Sequence, residues 1–184
     1  IARKFPKLRI VLEHVTTRAG VQMVDELANV AGSITAHHLL LTLDDVIGGA
    51  LNPHLFCKPI AKRPEDRDAL IQAPLSSQAF FLGTDSAPHP ISKKECASGC
   101  AGVYTASVAL GLAAEVFEAH GGLDSLEAFT SERGAEFYGV PLNEGHVTLR
   151  RGEWPVPADV AGVVPMRAGE TLRWQVDDAA STQA

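Results

Sequence analysis

The stretch from Phe80 to His89, Phe-Phe-Leu-Gly-Thr-Asp-Ser-Ala-Pro-His, limits the possible folds more than any other part of this chain. Phe80, Phe81 and Leu82 form a short apolar run suited to a parallel strand covered on both faces. Gly83 is expected to let the backbone bend as that strand ends. Asp85 then stands at the strand's carboxyl end. Parallel (β/α)8 barrels build their active sites on that face, so an acid there carries a functional expectation that an acid in mid-helix lacks. An Asp capping the next turn, with Pro88 simply rigid, would use the same residues, and this segment alone leaves both readings open.

A second segment repeats the pattern. Leu8 to His14 (Leu-Arg-Ile-Val-Leu-Glu-His) reads as a β-branched strand closed by a histidine, and Thr16 and Thr17 can cap a helix from about Arg18 to Asn29. A lone histidine is usually a packing residue. His and Asp closing two strands of one β-α pattern point instead to a metal site.

The remaining organisation alternates strand and helix. Ile34 to Leu41 reads as a strand carrying His37 and His38, and Pro64-Glu65-Asp66 opens a helix with proline in its first turn and acids near its positive end. Val103 to His120 is the longest helical stretch, with Val108, Leu112, Val116 and Phe117 on a core-facing stripe and Gly121-Gly122 as its stop. Leu123 to Arg133 predicts another helix. The tail from Val156 to Ala184, with Pro155, Pro157 and Pro165 in or beside it, is expected to wrap the outside and fray.

Composition excludes several classes. Hydrophobic residues make up 46% and charged residues 21% of the 184, and no apolar run approaches the roughly 20 residues of a membrane helix. Net charge is −6, and the basic pairs Lys62-Arg63 and Lys93-Lys94 are too small to make a nucleic-acid surface. Three cysteines, Cys57, Cys96 and Cys100, fit a reducing, cytoplasmic setting better than a disulfide framework. Cys96-Ala97-Ser98-Gly99-Cys100 has a spacing that could begin a structural zinc site, but no second ligand pair follows it. Gly99, Ala101 and Gly102 favour a loop whose backbone approaches a ligand.

Six motifs occur in fixed order: Leu12-Glu13-His14-Val15-Thr16-Thr17, Ile34-Thr35-Ala36-His37-His38-Leu39, Asn52-Pro53-His54-Leu55-Phe56-Cys57-Lys58-Pro59, Leu82-Gly83-Thr84-Asp85-Ser86-Ala87-Pro88-His89, Gly99-Cys100-Ala101-Gly102 and Phe137-Tyr138-Gly139-Val140-Pro141. Together they resemble the shorter, monofunctional dihydroorotases of the amidohydrolase superfamily. The resemblance implies an α/β fold, the C-terminal part of a (β/α)8 barrel, with the sixth to eighth strands and helices over about 1–139 and a C-terminal extension over 140–184. It implies zinc-dependent, reversible cyclisation of N-carbamoyl-L-aspartate to L-dihydroorotate with loss of water, and a homodimer as the complete enzyme. His14 and Asp85 would each hold one of two zinc ions, with Asp85 also the proton shuttle. His89 would grip the substrate carboxylate, and main-chain groups at Lys58 and Ala101 would hold the ring. His37, His38 and His54 would pack or support, while His120 and His146 would lie at the surface.

The family's His-x-His pair, its bridging carboxylated lysine and a further histidine are expected to precede Ile1. A complete barrel needs roughly 250 residues, so this chain is read as a C-terminal portion that is inactive by itself. Lys58 stands where the family usually carries an apolar residue. The other readings are a different cyclic-amide hydrolase on the same barrel, and a non-catalytic fragment kept for assembly.

Overall fold

A computed structural model describes residues 1–177. Its first sheet is built from strands β1 (Ile10–Leu12), β2 (Val30–Ile34) and β3 (Phe80–Leu82), all parallel, in the order β1-β2-β3. Between β1 and β2 runs helix α1 (Arg18–Asp25), whose N-cap Thr17 accepts a hydrogen bond from the Gly20 N–H. Between β2 and β3 run the short helix α2 (Leu43–Ile47), a 3-10 turn at Pro53–Leu55, and helix α3 (Pro64–Ser76) with Glu65 and Asp66 in its first turn. Parallel strands require such crossovers, and helices returning over one side of a twisted sheet make an arc of barrel wall.

After β3 come α4 (Ile91–Lys94), α5 (Ala109–Ala119) and α6 (Arg133–Tyr138), then an antiparallel pair of strands, β4 (Leu149–Pro155) and β5 (Thr171–Val176). Two buried clusters hold this together. Ile34, Phe80, Leu70, Phe117 and Phe129 fill the space between sheet and helices, with the Phe117 and Phe129 rings stacked 5.2 Å apart. Leu112, Val156, Met166 and Leu172 fill the space beneath α5 and the β4–β5 pair. All five residues of β2 are buried, as expected of a central strand with both faces covered.

Several expectations need correction. The predicted strand from Ile34 to Leu41 is displaced: β2 ends at Ile34, and His37 and His38 lie in the turn beyond it. Thr35 causes this, because its hydroxyl accepts from the His38 N–H and its carbonyl from the Leu39 N–H, closing a turn where a strand would continue. Helix α5 starts at Ala109, not Val103, since Val103 bridges to Ser86; the longest helix is α3, at 13 residues. The single helix predicted from Leu123 to Arg133 is a 3-10 turn, a π segment at Ala128–Glu132 and then α6. The tail holds β5 on α5 instead of merely wrapping the surface, and the end expected to fray lies outside the described residues. Gly83 is required less for a bend than for closeness: a Cβ there would sit 2.8 Å from the Ser33 Cβ.

Candidate active site

His14 and Asp85 follow the carboxyl ends of β1 and β3, the two strands flanking β2. Each takes a backbone conformation rare for a side-chain-bearing residue, with φ of 40° at His14 and 42° at Asp85. His and Asp tolerate this region better than most residues, and such conformations gather where function demands a particular side-chain direction. Ser33 on β2 fixes the first of them. Its hydroxyl accepts from the His14 N–H at 2.9 Å, and its carbonyl accepts from the Val15 N–H at 2.9 Å. The His14 Nδ1 is buried and has no hydrogen-bond partner among the described residues.

His89 and Ala101 are brought together. The His89 Nε2 lies 3.1 Å from the Ala101 carbonyl oxygen, and a carbonyl can only accept, so Nε2 carries the proton and Nδ1 is the ring atom left to face a ligand. Gly102 permits the approach. Its φ is +144°, and a Cβ there would stand 2.6 Å from the Ala87 Cβ and 3.1 Å from the His89 ring. The Asp85 loop is tied to the same segment by Ala87 N–H donating to the Val103 carbonyl, and by the Ser86 hydroxyl accepting from the N–H groups of Thr105 and Ala106. Lys58 is exposed in the neighbouring loop, joined to Pro59 by a cis peptide bond.

Sequence reasoning missed Lys94. It was grouped with Lys93 as a small basic patch, yet Lys93 is exposed and Lys94 is only 3% exposed. Its ammonium donates to three carbonyls: Phe56 at 3.0 Å, Cys100 at 2.9 Å and Gly102 at 2.6 Å. Burial lowers its pKa, opposed by the nearby Cys57 and Cys100. The one available signal was α4's neighbourhood, a lone helical turn beside a glycine-rich loop with many carbonyls to satisfy.

His37 and His38, expected to pack or support, are both buried. Burial, with the charges of neighbouring histidines, lowers His37 to about 3; burial likewise lowers His38 to about 4, so both rings are neutral. Their ring nitrogens and the Cys57 sulfur lie within 4.8 Å of one another. That cluster is a poor metal site as it stands. The His38 ring is engaged on both sides, by the Thr35 hydroxyl at 2.8 Å and the Pro59 carbonyl at 2.9 Å, while burial pushes the Cys57 thiol up and away from the thiolate a metal needs. His54 pairs with Glu95 at 2.8 Å, and His120 and His146 are exposed.

No family model matches the chain. Curated relatives do: it is 51% identical to the dihydroorotase of Hahella chejuensis over 183 residues, and 51% identical to that of Shewanella loihica over 184, covering 96% and 97% of this chain. The chain spans about half the length of these relatives, 53% and 54%. Among solved structures, the Saccharomyces cerevisiae dihydroorotase in complex with 5-fluoroorotic acid superposes with a TM-score of 0.88 at 37% identity, covering 95% of this chain and 53% of that one. The Campylobacter jejuni dihydroorotase gives 0.85 at 43% identity, over 96% and 52%. An Arthrobacter aurescens L-hydantoinase shares the fold, with a TM-score of 0.78 at 19% identity, over 91% of this chain and 42% of that one. Over the half-length of these relatives that it spans, this chain is similar in sequence and in fold to dihydroorotases.

Proposed function

We propose that the complete protein is a dihydroorotase, closing N-carbamoyl-L-aspartate to L-dihydroorotate with loss of water, and the reverse. The observation that carries this reading is the pairing of His14 and Asp85, both forced into left-handed backbone at the ends of β1 and β3, beside the linked His89 and Ala101. The three strands are taken as the sixth to eighth of a barrel, with residues 140–184 as an extension. Hydantoinase chemistry has less support, since that likeness is one of fold alone.

The donors suit zinc. Imidazole and carboxylate are ordinary zinc ligands, and the buried, unpartnered Nδ1 of His14 is a group whose burial is unfavourable without a partner. His14 would hold one ion and Asp85 another, from the loops that follow the two strands flanking β2. Bound zinc supplies polarisation of the carbonyl and a stronger nucleophile from water at neutral pH. In the hydrolytic direction, water oxygen adds to the ring carbonyl carbon as Asp85 takes its proton. The ring C–N bond then breaks, and Asp85 returns that proton to the departing nitrogen. His89 would grip the carboxylate through an Nδ1–H, its second ring proton, while its Nε2–H stays on the Ala101 carbonyl, and main-chain groups at Lys58 and Ala101 would hold the ring. Three free thiols fit a reducing cytoplasm, and the family likeness favours a homodimer.

Asp85→Asn tests the shuttle in the complete protein, because it keeps the size and tolerance of left-handed backbone while removing the base. Turnover should fall roughly 10²–10⁴-fold, with substrate affinity much less affected. Turnover retained within about threefold would sink the assignment.

A further inference from the structure

Two loops that supply main-chain groups to the proposed ring site share no sheet ladder. One carries Phe56 to Pro59 and follows the 3-10 turn; the other carries Cys100 to Gly102 and follows α4. Within the described residues their direct link is a single bond, the Gly102 N–H to the Phe56 carbonyl at 2.8 Å. The other hydrogen bonds that join them among the described residues come from one buried ammonium. The Lys94 Nζ takes one carbonyl from the first loop and two from the second, and the latter two lie on either side of Ala101. The Phe56 carbonyl lies two residues before Lys58.

We propose that Lys94 is a positioning residue for the reaction: its ammonium sets the main-chain groups of Lys58 and Ala101 at the spacing that grips a cyclic amide. The inference rests on the reading of this site given above. A lysine suits the task because three tetrahedrally directed N–H bonds can converge on three carbonyls from different directions, which a planar guanidinium cannot do from the same place. Its position 3% exposed means that substrate does not touch it; its effect passes through the loops. His89 is drawn into the same unit, because its Nε2 bonds to the Ala101 carbonyl between the two that Lys94 holds.

The test uses the complete, metal-loaded protein with Lys94→Met and Lys94→Gln, the latter able to donate at most two of the three bonds. Contacts made equally to substrate and transition state change KM without changing kcat. Lys94→Met should therefore raise KM about tenfold and weaken 5-fluoroorotic acid in parallel, with kcat within about threefold and zinc content unchanged, and Lys94→Gln should fall between. Amide hydrogen exchange should quicken at Cys100 to Val103 in both variants. Equal losses in KM and kcat, loss of zinc, or unchanged KM would overturn the proposal. If Lys94→Met does not fold, Lys94→Gln decides alone: KM and loop exchange at wild-type values would overturn it. Failure of the parent reading looks different, since the wild-type protein would then neither turn over dihydroorotate nor bind 5-fluoroorotic acid.

Discussion

His14 and Asp85 hold backbone conformations that cost a residue with a side chain roughly 1–2 kcal/mol each, a cost the fold carries at the two positions where a histidine and an acid close a strand. His89 offers a sharper test of substrate identity. In the complete protein, His89→Ala should weaken dihydroorotate and carbamoyl-aspartate by about 1.5–3 kcal/mol, the range for hydrogen bonds to a charged group, and spare an uncharged dihydropyrimidine. Equal losses on both kinds of substrate would favour a different cyclic-amide hydrolase. His37 predicts a pH effect. Unfolded imidazoles take up protons near 6.5, whereas burial holds His37 near 3 and His38 near 4 in the fold. The folded pKa values are depressed, so this contribution to stability is complete above about pH 6.5 and is lost as pH falls from there through about 4 for His38 and about 3 for His37. His37→Leu should flatten the fall in melting temperature between about pH 7.5 and about pH 5; an unchanged slope would show that His37 is not its source. The places of His14 and Asp85 just after β1 and β3 were legible in the sequence, because each follows a short apolar run. Lys94 was not, because a sequence shows that a residue is charged but not that loops from both directions bury it.

Strand β3 matched the apolar run from which it was read, and α1 began at its threonine cap as expected, because both are set by local chemistry. The elements misread were those fixed by distant partners. Val103 is drawn from helix to bridge by Ser86, a residue far earlier in the chain on the loop that follows β3. The helical stretch after Gly122 passes through the π segment immediately before Arg133, whose side chain turns inward. That guanidinium, 5% exposed, donates to the Gln78 side chain at 2.8 Å, the Pro74 carbonyl at 2.8 Å and the Phe80 carbonyl at 3.3 Å. It thus satisfies a carbonyl in the last turn of α3 and the strand that leads to Asp85. Arg133→Met should destabilise the complete protein by about 1.5–3 kcal/mol, measured by denaturant midpoint, while zinc content holds. A loss under about 0.5 kcal/mol, the usual span for a surface change, would show that water replaces it without penalty.

At the scale of the molecule, three parallel strands make a short arc whose outer members each have one neighbour. The alternation of strand and helix was visible in the sequence as periodicity and caps; the β4–β5 pair was not, since its strands are partly exposed and lack a clean alternating pattern. The 184 residues expressed alone should show no dihydroorotase turnover even with added zinc, because the chain spans about half of its relatives and presents only His14 and Asp85 as proposed ligands. Steady-state turnover by a monodisperse preparation at a rate comparable with a full-length relative would refute this. The open rims of β1 and β3 also carry backbone groups ready to recruit another strand. They define a seam for strand addition: on the proposed reading, a second polypeptide supplying the neighbouring strands would zip along those rims and report the meeting by restoring the proposed turnover.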